Sequence, residues 1–285
     1  MISQEQFNKE IELIIANAIR EDVGDGDHSS LACIPASTQG KAKLLVKDEG
    51  IIAGVEFAKK VFQYVDKNMT VETLIEDGSK VKYGDIVFYV EGASQSILKA
   101  ERLVLNAMQR MSAIATKTRV FVDLLEGTGT QILDTRKTTP GIRALEKWAV
   151  KIGGGENHRF ALYDMIMLKD NHIDFAGGIT KAINKTKQYL KDTNKDLKII
   201  VEARNLKEIE EILESNGVYR ILIDNFNYDD TKTAVKLIGK KCLTESSGGI
   251  NEKTARHYAE CGVNYISSGA LTHSVYNMDL SLKAV

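Results

Sequence analysis

The sequence predicts an α/β protein: a small mixed unit first, then a strand–helix array of barrel type. Three observations carry this. Short apolar runs begin near Gln131, Met165, Ile199, Ile221, Leu243 and Tyr265, and the later intervals are each about 22 residues, the size of one β/α unit. Amphipathic stripes fit between them: Leu145, Trp148, Ala149 and Ile152; then Leu206, Ile209, Ile212 and Leu213; then Ala234, Leu237 and Ile238. Strands this uniformly apolar imply a parallel sheet covered by helices. Even spacing without a GxGxxG favours a barrel over a dinucleotide-binding sheet. Six strands fall short of the usual eight, so the expected barrel is incomplete.

The elements before residue 130 have another rhythm. Phe7, Ile11, Ile14, Ile15, Ala18 and Ile19 recur at helical spacing, and a polar stretch broken by Gly24 and Gly26 follows. Residues 40–91 read as short strands between turns, with Asp77-Gly78 and Gly84-Asp85 as punctuation and residues 86–90 as a strand. A helical pattern covers Ser96 to about Thr118.

Composition narrows the function classes. Of 285 residues, 43% are hydrophobic and 27% charged, which is ordinary globular usage with material for a core. The net charge is −1, from 38 basic and 39 acidic residues, so no general nucleic-acid binder is expected. No apolar run reaches the ~18 residues a membrane helix needs. The N-terminus interleaves Glu and Lys with Ile and lacks the apolar block of a signal peptide. Cys33, Cys242 and Cys261 are scattered, which argues against zinc and disulfides. A cytoplasmic protein is expected, with no membrane or nucleic-acid partner.

In β/α barrels the active site gathers at the C-terminal strand ends. The six runs end in Thr135-Arg136-Lys137, Lys169-Asp170-Asn171-His172, Glu202-Ala203-Arg204, Asp224-Asn225, Glu245-Ser246-Ser247-Gly248-Gly249 and Ser267-Ser268-Gly269-Ala270. Strand ends are polar wherever they are solvated, but Lys169, Glu202 and Asp224 follow strongly apolar runs directly. The cations Arg136, Lys137, Arg159 and Lys169, with His158 beside them, fit an anionic ligand bearing several carboxylates or phosphates. The two glycine-rich turns, Ser246–Gly249 and Gly269-Ala270, allow the close backbone approach of a phosphate site. Glu202 and Asp224 either make structural salt bridges or hold ribose hydroxyls or Mg²⁺, directly or through water. The triple glycine 153–155 suits a loop that moves over a ligand and delivers His158 and Arg159. There is no HExxH, GxSxG or P-loop.

Read in order, these segments closely resemble the quinolinate phosphoribosyltransferase family. The likeness runs over most of the chain. It includes residues 21–27 (EDVGDGD), 100–106 (AERLVLN), 134–141 (DTRKTTPG), 153–159 (GGGENHR), 168–172 (LKDNH), 222–226 (LIDNF), 245–249 (ESSGG) and 269–273 (GALTH). One departure is visible: His28-Ser29-Ser30 stands where the family commonly has a hydrophobic residue, Thr and Ser.

The resemblance implies an N-terminal α/β sandwich over residues 1–115 and an incomplete α/β barrel over 116–273, with the tail 274–285 returning to the first domain. It implies a homodimer with active sites shared between subunits, and leaves open whether dimers assemble into hexamers. The implied reaction joins quinolinate to phosphoribosyl pyrophosphate (PRPP) and releases pyrophosphate and carbon dioxide, with Mg²⁺ as cofactor. Quinolinate would be held by Arg102 from the neighbouring subunit and by Arg136, His158, Arg159 and Lys169. PRPP would be held by Lys137, Glu202, Asp224, Ser246, Ser247, Gly248, Gly249, Gly269 and Ala270. Lys169, Glu202 and Asp224 would act on the reacting atoms. The same residues leave room for a related transferase acting on nicotinate, and for a silent phosphosugar-binding barrel.

Overall fold

A period-two pattern of buried side chains builds the first sheet, and longer apolar periods build the helices that cover it. The structure is a computed structural model that describes residues 2–285. In chain order the first elements are α1 (Gln4–Val23), α2 (His28–Cys33), β1 (Gln39–Val46), β2 (Gly50–Ile51), α3 (Val55–Val65), β3 (Thr70–Thr73), β4 (Lys80–Val81), β5 (Ile86–Ala93) and α4 (Ser94–Leu124). Along β1, Ala42, Leu44 and Val46 are buried and the residues between them less so. Phe62 of α3 meets Phe88 of β5 edge to face at 5.9 Å. Ser3 caps α1 by accepting the Gln6 N–H at 3.1 Å, and Asp27 caps α2 through Ser30. The departure from the family pattern at residues 28–30 therefore forms the first turn of a capped helix.

The remaining elements are β6 (Gln131–Leu133), α5 (Arg143–Ile152), β7 (Ile166–Leu168), α6 (Asp170–Ala176), α7 (Ile179–Asp192), β8 (Ile199–Ala203), α8 (Leu206–Glu214), β9 (Arg220–Asp224), α9 (Tyr228–Ile238), β10 (Leu243–Ser247), α10 (Ala255–Ala259), β11 (Tyr265–Ser267), α11 (Ala270–His273) and β12 (Leu280–Ala284). One compact unit holds residues 3–119, 137–154 and 271–285; the other holds 120–136 and 155–270, together with Ile2.

The first unit contains an antiparallel sheet ordered β12-β1-β5-β3, in which the C-terminal strand pairs with β1 from Ala42↔Ala284 to Val46↔Leu280. α5 packs within this first unit. Its Trp148 stacks edge-on against Phe7 of α1 at 5.5 Å. Its buried Glu146 accepts from Arg110 of α4 at 3.0 Å (Nε) and from the Thr139 N–H at 3.0 Å. Arg110 also reaches the Thr272 carbonyl, and the Thr272 hydroxyl donates to the Lys137 carbonyl at 2.8 Å. This clamp fixes the backbone on either side of α5.

The second unit is the parallel strand–helix array. Its order is β6-β11-β10-β9-β8-β7, so β6 and β7 are the two ends of the hydrogen-bonded series and the barrel is incomplete. All six strands fall where the apolar runs predict them. The residues between the interior-facing positions, such as Val201, Ala203, Ile221 and Ile223, are fully buried. No helix among the described residues is long and apolar enough to cross a membrane.

Candidate active site

Parallel register keeps paired residues on the same side of a sheet. Glu202 pairs with Leu222 and Leu222 with Glu245, while Asp224 pairs with Ser247. One face of the sheet therefore carries Arg220, Leu222 and Asp224 from β9, Glu245 and Ser247 from β10, and Glu202 from β8. The opposite face is apolar except for Thr244 and Ser246 of β10. The polar face runs to the C-terminal strand ends, where the cations collect.

Arg159 is only 7% exposed, and its Nη1 donates to the Met165 carbonyl at 3.2 Å. Burial and then the neighbouring Arg136 charge push its pKa down. The Arg136 Nε is buried without a hydrogen-bond partner. Two guanidinium groups thus sit in each other's field, offset at Arg159 by the Asp164 carboxylate, and an anion with two carboxylates relieves the remaining repulsion. His158 is buried beside them. Its backbone N–H donates to Asp134 at 2.8 Å, and its Nδ1 accepts the Arg159 N–H at 2.6 Å. Lys169 is exposed and follows β7, with its N–H donating to His172 Nδ1 at 3.1 Å.

The acids lie on the next strands. Glu202 is 7% exposed and takes only a long contact from the Asp170 N–H, at 3.4 Å. Burial and then the Asp224 charge raise its pKa, with Lys169 opposing them. Asp224 accepts from Asn225 Nδ2 at 2.6 Å and from Ser247 Oγ at 2.5 Å. Among the described residues, no cluster of three or more His, Cys, Asp or Glu is placed to hold a metal by itself. A cavity of about 580 Å³ opens beyond β8 and β9, lined among others by Arg204, Lys207, Asn225 and Asn227.

The first glycine turn is built around Asn225, whose φ is +57°. Gly248 and Gly249 have φ of +89° and +64°. A Cβ on Gly248 would lie 2.0 Å from Asn225 Oδ1 and 3.0 Å from its backbone nitrogen, whereas one on Gly249 would meet open space. The turn is thus closed on one side and open on the other. Ser268 ties it to the second turn by donating to the Ile250 carbonyl at 2.9 Å. Gly248→Ala is expected to displace Asn225 and cost about 1–3 kcal/mol of stability, read as a lower urea midpoint.

Arg136, His158, Arg159, Lys169, Glu202, Asp224 and both glycine-rich turns (Ser246, Ser247, Gly248, Gly249; Gly269, Ala270) belong to one unit. Lys137 and Arg102 are exposed and belong to the other; Arg102 is on α4. Ser246 is fully buried on the apolar face, and its Oγ has no partner.

The triple glycine differs from expectation. Gly153 ends α5 and packs so closely on α4 that a Cβ would sit 2.6 Å from the Ala115 carbonyl. The chain beyond it bridges to β6, with the Glu156 N–H on the Ile132 carbonyl at 2.9 Å. Gly153 serves close helix packing, and His158 and Arg159 follow a segment that bridges to β6.

Sequence reasoning over strand ends misses Arg220 as a partner and passes over Glu245. Arg220 Nη1 donates to Glu245 Oε2 at 2.6 Å, and His158 Nε2 approaches that oxygen at 3.3 Å. The available signal is the period of two: with Asp224 facing inward, Arg220 must do so as well.

Residues 27–112 and 114–283 match the family profiles described as quinolinate phosphoribosyl transferase, N-terminal domain and C-terminal domain. The chain is 44% identical over 285 residues to quinolinate phosphoribosyltransferase [decarboxylating] 1b of Nicotiana tabacum, covering 95% of this chain and 81% of that one. It is 40% identical over 262 residues to the probable nicotinate-nucleotide pyrophosphorylase [carboxylating] of Bacillus subtilis, covering 92% and 89%. The solved structure of NadC from Streptococcus pyogenes superposes with a TM-score of 0.89 at 35% identity, covering 100% of this chain and 99% of that one.

Proposed function

The chain belongs to the quinolinate phosphoribosyltransferase family, and on that premise we propose that it transfers the phosphoribosyl group of PRPP to quinolinate. Decarboxylation follows, giving nicotinate mononucleotide, pyrophosphate and carbon dioxide, a step of NAD biosynthesis. The observation that carries this reading is the buried Arg159 in the field of the half-buried Arg136, beside the buried His158. A monocarboxylate would leave one of these cations uncompensated; the dicarboxylate quinolinate does not. Lys169 and the partner subunit's Arg102 complete the set, in a homodimer.

PRPP takes the other half of the site. The open side of the turn at Gly249, with Ser246, Ser247 and Gly248 and with Gly269 and Ala270, suits a phosphate bound by backbone N–H groups. Lys137 takes the pyrophosphate. Glu202 and Asp224 hold ribose hydroxyls. Their oxygen donors and mutual repulsion also fit Mg²⁺, bound directly or through water, with substrate phosphates supplying the remaining ligands. When bound, Mg²⁺ neutralises charge on the departing pyrophosphate.

As pyrophosphate leaves, positive charge develops on the ribose carbon, and the two carboxylates stabilise it. Arg136, Arg159 and His158 hold the pyridine ring so that its nitrogen meets that carbon, and positioning supplies much of the rate. The new C–N bond makes the ring nitrogen cationic. The adjacent carboxylate then leaves as carbon dioxide, its electron pair stays on the ring carbon beside that nitrogen, and a proton replaces it. No covalent enzyme intermediate is needed. The balanced charge and free cysteines suit a cytoplasmic setting.

The test is product analysis with PRPP, Mg²⁺ and either quinolinate or nicotinate. Nicotinate mononucleotide with carbon dioxide from quinolinate alone is the expected result. Product from nicotinate alone would move the substrate assignment to the monocarboxylate.

A further inference from the structure

Glu245 is 1% exposed, inside the parallel sheet, and none of the steps above uses it. Its Oε2 is shared between Arg220 Nη1 at 2.6 Å and His158 Nε2 at 3.3 Å. The Arg220 guanidinium lies 4.2 Å from the centre of the Tyr265 ring and 5.5 Å from that of Tyr219, so aromatic faces help to hold it in place. The other ring nitrogen of His158 accepts the Arg159 N–H, which leaves Nε2 facing the Glu245 carboxylate. The imidazole is therefore bound at Nδ1 and lies in charge contact with Glu245 at Nε2.

We propose that Glu245, locked by Arg220, is a positioning residue that sets the His158 ring against the substrate carboxylate, a role resting on the quinolinate reading above. Burial by itself would raise the Glu245 carboxyl. The His158 ring, Arg220 and the Ser267 hydroxyl overcome that and hold it at about 2, so it stays ionised at neutral pH. Stability alone does not account for the pair, since apolar replacements of buried ion pairs are often neutral or stabilising. Sharing one oxygen between the cation and the imidazole does account for it: the pair fixes a ring that the site needs in a single orientation.

The test is Glu245→Gln, with Arg220→Leu/Glu245→Gln as a paired variant that leaves no lone buried cation. The ¹⁵N resonances of the His158 ring are identified by their loss in His158→Ala. In both Glu245 variants the Nε2 resonance is expected to shift, because the carboxylate that faces it is gone, while Nδ1 keeps its Arg159 partner and moves less. An unchanged Nε2 resonance overturns the proposal whatever the substrate. In kinetic assays the KM for quinolinate is expected to rise on the order of tenfold. The KM for PRPP should stay within about twofold, and Glu245→Gln should add less than about twofold in a His158→Ala background. Equal rises in both KM values, or the same loss in both backgrounds, would make Glu245 structural only and overturn the role. If wild-type protein makes no nicotinate mononucleotide, the quinolinate reading fails, and the ring resonances still decide whether Glu245 positions His158.

Discussion

Arg159→Ala is expected to raise the KM for quinolinate by about 10²- to 10³-fold, the cost of truncating one partner of a desolvated charge pair. The KM for PRPP should change far less. The magnitude follows from what surrounds the guanidinium. Arg159 is buried, the Met165 carbonyl takes its Nη1, and Arg136 repels it. The unliganded site therefore stores unfavourable charge that a bound carboxylate relieves. Removing Arg159 takes away both the repulsion and the acceptor's partner. In the absence of ligand the variant is expected to melt no lower than wild type. Quinolinate should raise the melting temperature of wild type and leave that of the variant where it was. Arg159→Lys should not restore affinity, because a single ammonium cannot make the two parallel contacts of a guanidinium. A variant that is destabilised yet still binds quinolinate would place Arg159 in the fold rather than the site.

Such a site is legible in sequence to the extent that strand ends are. The apolar runs around residues 131, 166, 199, 221, 243 and 265 locate all six parallel strands, because continuous burial leaves few alternatives to a covered sheet. Lys169, Glu202 and Asp224 stand at the points where those runs stop. Arg220 and Glu245 are harder to read. Each lies inside a strand, where a charge looks like the edge of an element until its partner is known, and the partner is 25 residues away. The triple glycine shows the opposite difficulty. A run of glycines reads as mobility, yet here Gly153 admits the Ala115 carbonyl where any side chain would clash. Close packing and flexibility call for the same residue, and only the neighbouring helix tells them apart. The packing of α5 is hard to read for a similar reason, since its anchors Phe7 and Arg110 lie far from it in sequence.

Glu202→Gln is expected to lower kcat by about 10²-fold or more, in line with the loss of a group aimed at developing charge. The same change should raise stability at neutral pH. Burial and the Asp224 charge lift the folded-state pKa of Glu202 above its unfolded value. The folded state therefore binds the proton more tightly than the unfolded chain does, and ionised Glu202 costs stability at any pH above that raised value. The cost fades as pH falls through the folded pKa, and it is gone below the ordinary glutamate range, where both states are protonated. Glu202→Gln removes the charge and keeps the shape. Its melting temperature should exceed that of wild type at pH 7, and the gap should close in acid. In wild type the acid limb of kcat/KM against pH should lie above that of an ordinary glutamate. Activity lost together with stability gained marks a group kept for its ligand at the fold's expense. Stability lost instead would make Glu202 a structural salt-bridge partner, the alternative its position in the sequence leaves open. The structure favours the ligand role: the Asp170 N–H makes only a long contact with its carboxylate, and of the nearby charges Asp224 and Asp170 oppose Lys169.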